Sequence, residues 1–239
     1  MKVTYVYHSC FIVELEKSIL IFDYFKGQLP QLSPTKHIYL FASHKHQDHF
    51  SMEIFGLFKA PFQVTYILAN DIRLSERYLE RLGFESSIKK QIVSAGKCME
   101  ISLHEDFTIK TLKSTDAGVA FIIETEGVCL YHAGDLNWWH WKEESDVFNL
   151  YQERVYAQQL EKIRGQYFDA AFLPLDYRLG DAKEWGLVKF LEMTEAETVF
   201  PMHMWEHYEL IDECLANGRL AVYKDRIVRI SAENESWTL

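Results

Sequence analysis

His37-Ile38-Tyr39-Leu40-Phe41-Ala42-Ser43-His44-Lys45-His46-Gln47-Asp48-His49 is the stretch on which the reading of this chain turns. Its apolar beginning, residues 37–42, predicts a strand that runs straight into a polar turn. Three histidines and one aspartate then fall within six residues. Alternate side chains of an extended segment point the same way, so His44 and His46 can face one point. Asp48 and His49 follow where the chain turns, and can face a second point beside it. Neutral imidazole and carboxylate are the ligands that Zn²⁺ and similar divalent ions accept. Two such ions roughly 3.5–4 Å apart form a clamp able to generate hydroxide at neutral pH. The competing interpretation is a polar turn that happens to be rich in histidine.

Outward from this stretch, composition sets the limits. The chain has 239 residues, 48% of them hydrophobic, enough for one large core or two small ones. With 25 Lys and Arg against 35 Asp and Glu, the formal charge is −10, which argues against a broad nucleic-acid or anionic-membrane surface. No apolar run approaches the roughly 18–20 residues of a membrane span. Residues 1–8 lack a secretory pattern. Cys10, Cys98, Cys129 and Cys214 form no C-x-x-C pair, and read as reduced, buried side chains of a cytoplasmic protein.

Short strands are predicted at 3–7, 11–16, 19–23, 37–42 and 64–69. A helix at 51–58 is capped by Ser51, and another begins at Asn70 or Asp71 and ends at Gly83. Five strands follow at 91–93, 98–103, 107–112, 119–124 and 128–132. A long helix spans 143–164, with Val147, Phe148, Tyr151, Val155, Leu160 and Ile163 on its apolar face. The remainder reads as strand 168–173, a helix from 182 to about 195 capped by Asp181, strand 198–201, helix 207–216, and a hairpin over 220–231 turning at Lys224-Asp225. No linker or repeat divides the chain, so 1–239 is expected to form a single domain. This order fits an α/β fold: a four-layer αββα sandwich of two mixed sheets packed face to face, with helices outside.

The spacing H-x-H-x-D-H resembles the signature of the metallo-β-lactamase superfamily. Leu130-Tyr131-His132-Ala133-Gly134-Asp135 resembles its strand ending in Gly-Asp, and Val199-Phe200-Pro201-Met202-His203 resembles its late strand ending in a metal-binding histidine. Tyr7-His8-Ser9-Cys10-Phe11, followed by Ile19 to Asp23, resembles the opening of the small bacterial hydrolases of that superfamily, including its ascorbate-6-phosphate lactonase-like branch. The resemblance covers almost the whole chain. It implies that His44 and His46 bind a first metal, that Asp48, His49 and His203 bind a second, and that Asp135 touches both. The metals it implies are two Zn²⁺, with Mn²⁺ or Fe²⁺ as alternatives.

One departure stands out. The family's third histidine for the first metal comes from a loop that here reads Leu112-Lys113-Ser114-Thr115-Asp116-Ala117-Gly118, with no histidine. Thr115 takes the histidine's place. Asp116 beside it is either a replacement ligand or a turn residue; water filling the gap, or a weak first site, are the other outcomes. His132 is placed to orient a ligand, and His104 reads as an exposed turn residue. His8 has either a supporting or substrate-facing role or a surface one. Trp138, Trp139 and Trp141, just beyond Asp135, suggest a wall that stacks on substrate or excludes water. Arg178 can grip an anionic substrate group, or pair with Asp181.

The expected function is a metal-dependent, dinuclear hydrolase. It would direct a metal-bound hydroxide at a small ester, lactone or phosphoester, anionic substrates included. Asp48 is the catalytic carboxylate that orients the hydroxide and takes up a proton. The expected partner is a small-molecule substrate, with neither nucleic acid nor membrane; oligomeric state is not legible. Two alternatives stay open: a metal-dependent nuclease or phosphodiesterase, and a non-catalytic metal- or ligand-binding protein with a degenerate first site.

Overall fold

β-branched and aromatic residues in runs of three to eight set the strands, and the strands sort into two sheets, one in each of two units of the chain. The structure, a computed structural model, describes residues 1–239 apart from the side chain of Ser86. The first unit comprises Met1–Gly96 and Glu233–Leu239, and the second Lys97–Ala232.

In the first unit, β1 (Lys2–Tyr7), β2 (Cys10–Glu14), β3 (Ser18–Phe22), β4 (His37–Ala42), β5 (Val64–Ala69) and β6 (Ile92–Ala95) lie side by side in sequence order. β1 to β3 pair antiparallel and β3 to β6 parallel, so the sheet is mixed. β4 is flanked on both sides by parallel neighbours, which is why His37–Ala42 reads as an almost unbroken apolar run. Ile12, Ile21, Leu40 and Leu68 on one face pack with Ile54 and Phe55 of α1 (Ile54–Leu57) and Leu79 of α2 (Glu76–Arg81).

In the second unit, β7 (Glu100–His104), β8 (Phe107–Lys113), β9 (Val119–Thr125) and β10 (Val128–His132) form an antiparallel meander. Two parallel strands, β11 (Tyr167–Pro174) and β12 (Glu195–Met202), extend it on the β10 side. The turn between β9 and β10 places Glu126 at φ 49° and Gly127 at φ 79°, the left-handed pair a tight two-residue hairpin needs. α3 (Asp146–Glu161), α4 (Trp185–Met193) and α5 (Glu209–Asn217) complete the unit. Gly186 of α4 permits a close approach: a Cβ there would lie 1.7 Å from Asn137 Oδ1 and 3.0 Å from the amide nitrogen of Trp138.

Several expectations are corrected. The last strand is not a hairpin over 220–231. Arg219–Tyr223 is a 3₁₀ turn, and Ile227 makes a single bridge to Val199. A final strand, β13 (Ser236–Thr238), pairs antiparallel with β1, completing the seven-stranded sheet. α1 starts at Ile54 and has no side-chain cap; Ser51 Oγ accepts instead from the Glu53 amide. α2 begins after Ser75, whose hydroxyl accepts the Tyr78 amide, so neither Asn70 nor Asp71 caps it. Asp181 caps nothing: Asp176 caps a 3₁₀ turn over Tyr177–Ala182, Gly180 breaks that turn at φ 56°, and α4 follows.

α3 is shorter than 143–164 and keeps only part of its expected face: Val155, Leu160 and, just past the helix, Ile163 are buried. Val147 is 80% exposed, while Asn149, Gln152 and Gln159 are buried. Two of these buried amides, Asn149 and Gln159, serve neighbouring backbone. Asn149 accepts from Trp141 N at 3.0 Å and donates to Trp141 O at 2.8 Å, and Gln159 accepts the Lys113 amide at 3.2 Å. Cys98 also departs from expectation: it precedes β7 and is exposed, whereas Cys10 and Cys214 are buried and Cys129 is half-buried.

Candidate metal centre

β4 delivers its histidines because the strand stops at Ala42 and the polar turn begins at once. Ser43, His44 and His49 are all buried. Asp23, at the end of β3 with φ 46°, organises them. Its Oδ1 accepts the Ser43 amide at 2.7 Å, and its Oδ2 accepts the Ser43 hydroxyl at 2.6 Å and His49 Nδ1 at 2.7 Å. The Ser43 hydroxyl proton is thus spent on Asp23, so the same oxygen accepts from His44 Nδ1 at 3.0 Å. Both rings therefore carry a proton on Nδ1, which leaves Nε2 as the nitrogen turned toward a ligand position. This is the arrangement by which supporting oxygens hold histidines that ligate metal.

His44 and His46 bring ligand nitrogens within 4.8 Å of each other; the ring nitrogens of His8 and His49 and a carboxylate oxygen of Asp48 are grouped in the same way. The Asp48 Oδ2 lies 3.6 Å from His8 Nε2 and 3.8 Å from His49 Nε2. His8 is fully buried and stands edge-on to His49 at 5.6 Å, which excludes the surface reading. Its backbone is left-handed at φ 54°, a costly conformation for a non-glycine residue and one concentrated at functional sites.

The second unit holds the remaining candidates. Asp135 follows β10 through Gly134, whose amide donates to His132 Nδ1 at 3.2 Å; His132 thus braces the turn. His203 follows the last residue of β12 with φ 66°, and its Nε2 is 3.5 Å from Asp135 Oδ1. Its Nδ1 donates to Asp176 Oδ2 at 2.8 Å, repeating the support seen at His49. Burial would raise the Asp176 carboxyl, but hydrogen bonds from His203 and Arg178 hold it down at about 2. Arg178 donates Nε to Asp176 Oδ1 at 2.9 Å and Nη2 to Oδ2 at 2.5 Å, so it pairs with Asp176 and not with Asp181.

The loop that lacks the expected histidine is fastened by Thr115. Its hydroxyl donates to Asn137 O at 2.7 Å and accepts the Asn137 amide at 3.0 Å. Asp116 is exposed, and a carboxylate oxygen of it lies within 4.8 Å of one from Asp135. Trp139 is buried and donates its indole N–H to Asp135 O at 2.9 Å, so it holds the Asp135 turn. Trp138 packs on Trp185 at 5.2 Å, and Trp139 stacks on Trp141 at 5.9 Å. His104 is exposed at the end of β7, as expected.

The residues fit a divalent metal on their donor chemistry: imidazoles with Nδ1 committed to oxygen, and carboxylates beside them. Sequence reasoning gave no role to Asp23, Ser43 or Asp176. The available signal was a lone aspartate at the end of an apolar strand, which Asp23 and Asp176 share.

Two mixed β-sheets with helices, and His and Asp side chains gathered beyond strand ends, define an α/β protein of the metallo-β-lactamase fold. A family model described as the beta-lactamase superfamily domain matches residues 2–147, and the chain belongs to that family. It is 27% identical over 233 residues to the UPF0173 metal-dependent hydrolase of Archaeoglobus fulgidus, covering 93% of this chain and 90% of that one. To the UPF0173 metal-dependent hydrolase of Methanosarcina barkeri it is 25% identical over 213 residues, covering 85% and 83%. Among solved structures it is similar to Igni18, a metallo hydrolase from Ignicoccus hospitalis, with a TM-score of 0.63 at 17% identity over 100% of this chain and 98% of that one.

Proposed function

We propose that this chain is a metal-dependent hydrolase with a dinuclear centre, residues 1–239 acting as a single domain. The observation that carries this reading is the common state of His44, His49 and His203: each has Nδ1 engaged by an oxygen, which reserves Nε2 for a metal. His44 and His46 would hold one ion, Asp48, His49 and His203 the other, and Asp135 both. Asp116 would complete the first site. The carboxylate pair Asp116 and Asp135 makes that site oxygen-rich, which suits Mn²⁺ or Fe²⁺ as well as Zn²⁺.

A bound divalent pair supplies Lewis acidity and lowers the pKa of water toward neutrality. The chain's own contribution is to hold the ligand rings in one tautomer through Asp23, Ser43 and Asp176. Asp48 is partly exposed at 26%, so it can orient the attacking water and pass its proton to solvent. Trp139 fixes the backbone that carries Asp135. The substrate class we favour is a small ester, lactone or phosphoester. With charge −10, nucleic acid is the less favoured substrate. The unpaired cysteines suit the cytoplasm. Among the described residues no helix is long and apolar enough to cross a membrane.

The test is to load the protein with Zn²⁺, Mn²⁺ or Fe²⁺, count metal per chain, and assay small esters, lactones and phosphoesters with and without chelator. Two ions per chain and chelator-sensitive turnover are the expected result. Absence of bound metal after loading would overturn the reading.

A further inference from the structure

We propose that Arg178 forms an anion-binding subsite walled by Trp141 and Trp205, so that the substrate carries a carboxylate or phosphate group. This rests on the hydrolase reading above and narrows its substrate class.

The geometry divides the guanidinium into two edges. The inner edge, Nε and Nη2, is committed to Asp176, which is fully buried and also accepts from His203 Nδ1. The outer end is different. Nη1 makes no hydrogen bond among the described residues, and the side chain remains 39% exposed. Together with the second N–H of Nη2, it presents a two-donor fork, the arrangement that matches carboxylate and phosphate oxygens. An arginine needed only to neutralise Asp176 gains nothing from an open outer fork.

The fork is also held still. The guanidinium carbon lies 5.5 Å from the Trp141 ring and 5.6 Å from the Trp205 ring, within cation–π range of both indoles. Trp141 is fixed in turn by its two backbone hydrogen bonds with Asn149 and by the stacked ring of Trp139. Trp205 lies two residues beyond His203, has left-handed backbone at φ 52°, and stands 5.9 Å from the His203 ring. An anion arriving here therefore meets a donor pair whose freedom is already restricted, and less binding energy goes into ordering it. Asp176 divides its single negative charge between Arg178 and His203, so the guanidinium keeps part of its positive field toward solvent. Asp135 is close enough to contribute to keeping Arg178 protonated.

The position matters for substrate choice. Arg178 is joined to His203 through one carboxylate, so an anionic group seated on its outer end lies beside the candidate metal ligands. A phosphoester would place a second phosphate or a carboxylate there, and an ester or lactone would place a carboxylate.

The test uses the metal-loaded full chain and inorganic phosphate as probe, with ionic strength held constant by potassium chloride. Trp141 and Trp205 flank the arginine, so tryptophan fluorescence reads binding without any turnover. Wild type should give a saturable change. Arg178→Lys and Arg178→Met should weaken phosphate binding by about tenfold or more, with metal per chain unchanged in Arg178→Lys. Equal phosphate affinity in wild type and both variants would place the anion on the metals and overturn the subsite. Loss of metal from Arg178→Lys would assign the arginine wholly to supporting His203, which also overturns it. Arginine-dependent phosphate binding in a protein that hydrolyses none of the assayed substrates would fault the hydrolase reading and leave the subsite standing.

Discussion

Asp23 Oδ2 accepts the Nδ1 proton of His49 at 2.7 Å, and the residues that form this bond are 26 positions apart. The same carboxylate holds Ser43, which holds His44. One acid thus sets the tautomer of a histidine in each proposed metal site.

Replacing it should be costly twice over. Asp23→Ala leaves the Ser43 amide and His49 Nδ1 without an acceptor in a fully buried place, which should destabilise the fold by about 3 kcal/mol. Metal affinity should fall roughly 10–100-fold, as expected when the group orienting a ligand is lost. Thermal melting and chelator competition measure the two effects. A variant that melts and binds metal like wild type would remove Asp23 from this role.

Metal itself should stabilise the chain, because it binds the folded arrangement of ligands. At a free concentration a hundred times the dissociation constant the gain is about 2.7 kcal/mol. Chelation should therefore lower the melting temperature, and Zn²⁺ or Mn²⁺ should restore it. His44→Ala with His46→Ala should abolish occupancy of the first site, while His203→Ala should retain it, read as metal per chain.

Asp116 is the candidate whose role is most sharply divided. As third ligand of the first metal, it should lose metal on conversion to Asn, and Asp116→His should favour Zn²⁺. As a turn residue it should tolerate Asn with occupancy unchanged. Metal counting by mass spectrometry separates the two.

The thiols carry a pH signature. Burial, followed by the charge of Asp23, pushes the Cys10 thiol well above its ordinary value. Burial and Glu124 push Cys129 up to about 11, and burial and Glu184 push Cys214 up to about 12. The folded state keeps these protons where the unfolded chain releases them. Their stabilisation is complete below about pH 9 and is lost as pH rises through the folded values. Melting temperature should fall between about pH 8 and pH 11, and a flat profile would contradict the burial of these groups. At neutral pH a thiol reagent should find Cys98 first, and all four cysteines only in denaturant.

Gly186→Ala should be poorly tolerated. The added Cβ meets Asn137 Oδ1 at 1.7 Å, and Asn137 sits between the Asp135 turn and Trp138. The cost expected for such overpacking is about 1–3 kcal/mol, with a shift in the tryptophan emission of this loop. A wild-type melting curve would show that the loop yields without strain.

Legibility in the sequence followed distance along the chain. His44, His46, Asp48 and His49 announce themselves because a single turn holds all four. Asp135 and His203 needed the family resemblance, since each stands alone after its strand. Asp23 and Asp176 had no local signature, because their meaning lies in partners 26 and 27 residues away. The strands were largely readable, since β-branched alternation is local. The face of α3 was not: Asn149 and Gln159 turn inward to satisfy backbone groups of Trp141 and Lys113, a demand that periodicity does not record. β13 is three residues long, and only the open edge of β1 makes it a strand.

That pairing also dictates an order of assembly. Thr4 of β1 and Ser236 of β13 share a hydrogen bond across 232 positions, so the first unit is interrupted by the whole of the second. During synthesis β1 leaves the ribosome with its outer edge bare, and its proper neighbour is made only after the whole of the second unit. Until then the edge is open to pairing with other nascent chains. A shortened chain stopping before residue 236 would retain that bare edge permanently, and aggregation, more than lost chemistry, would be its phenotype.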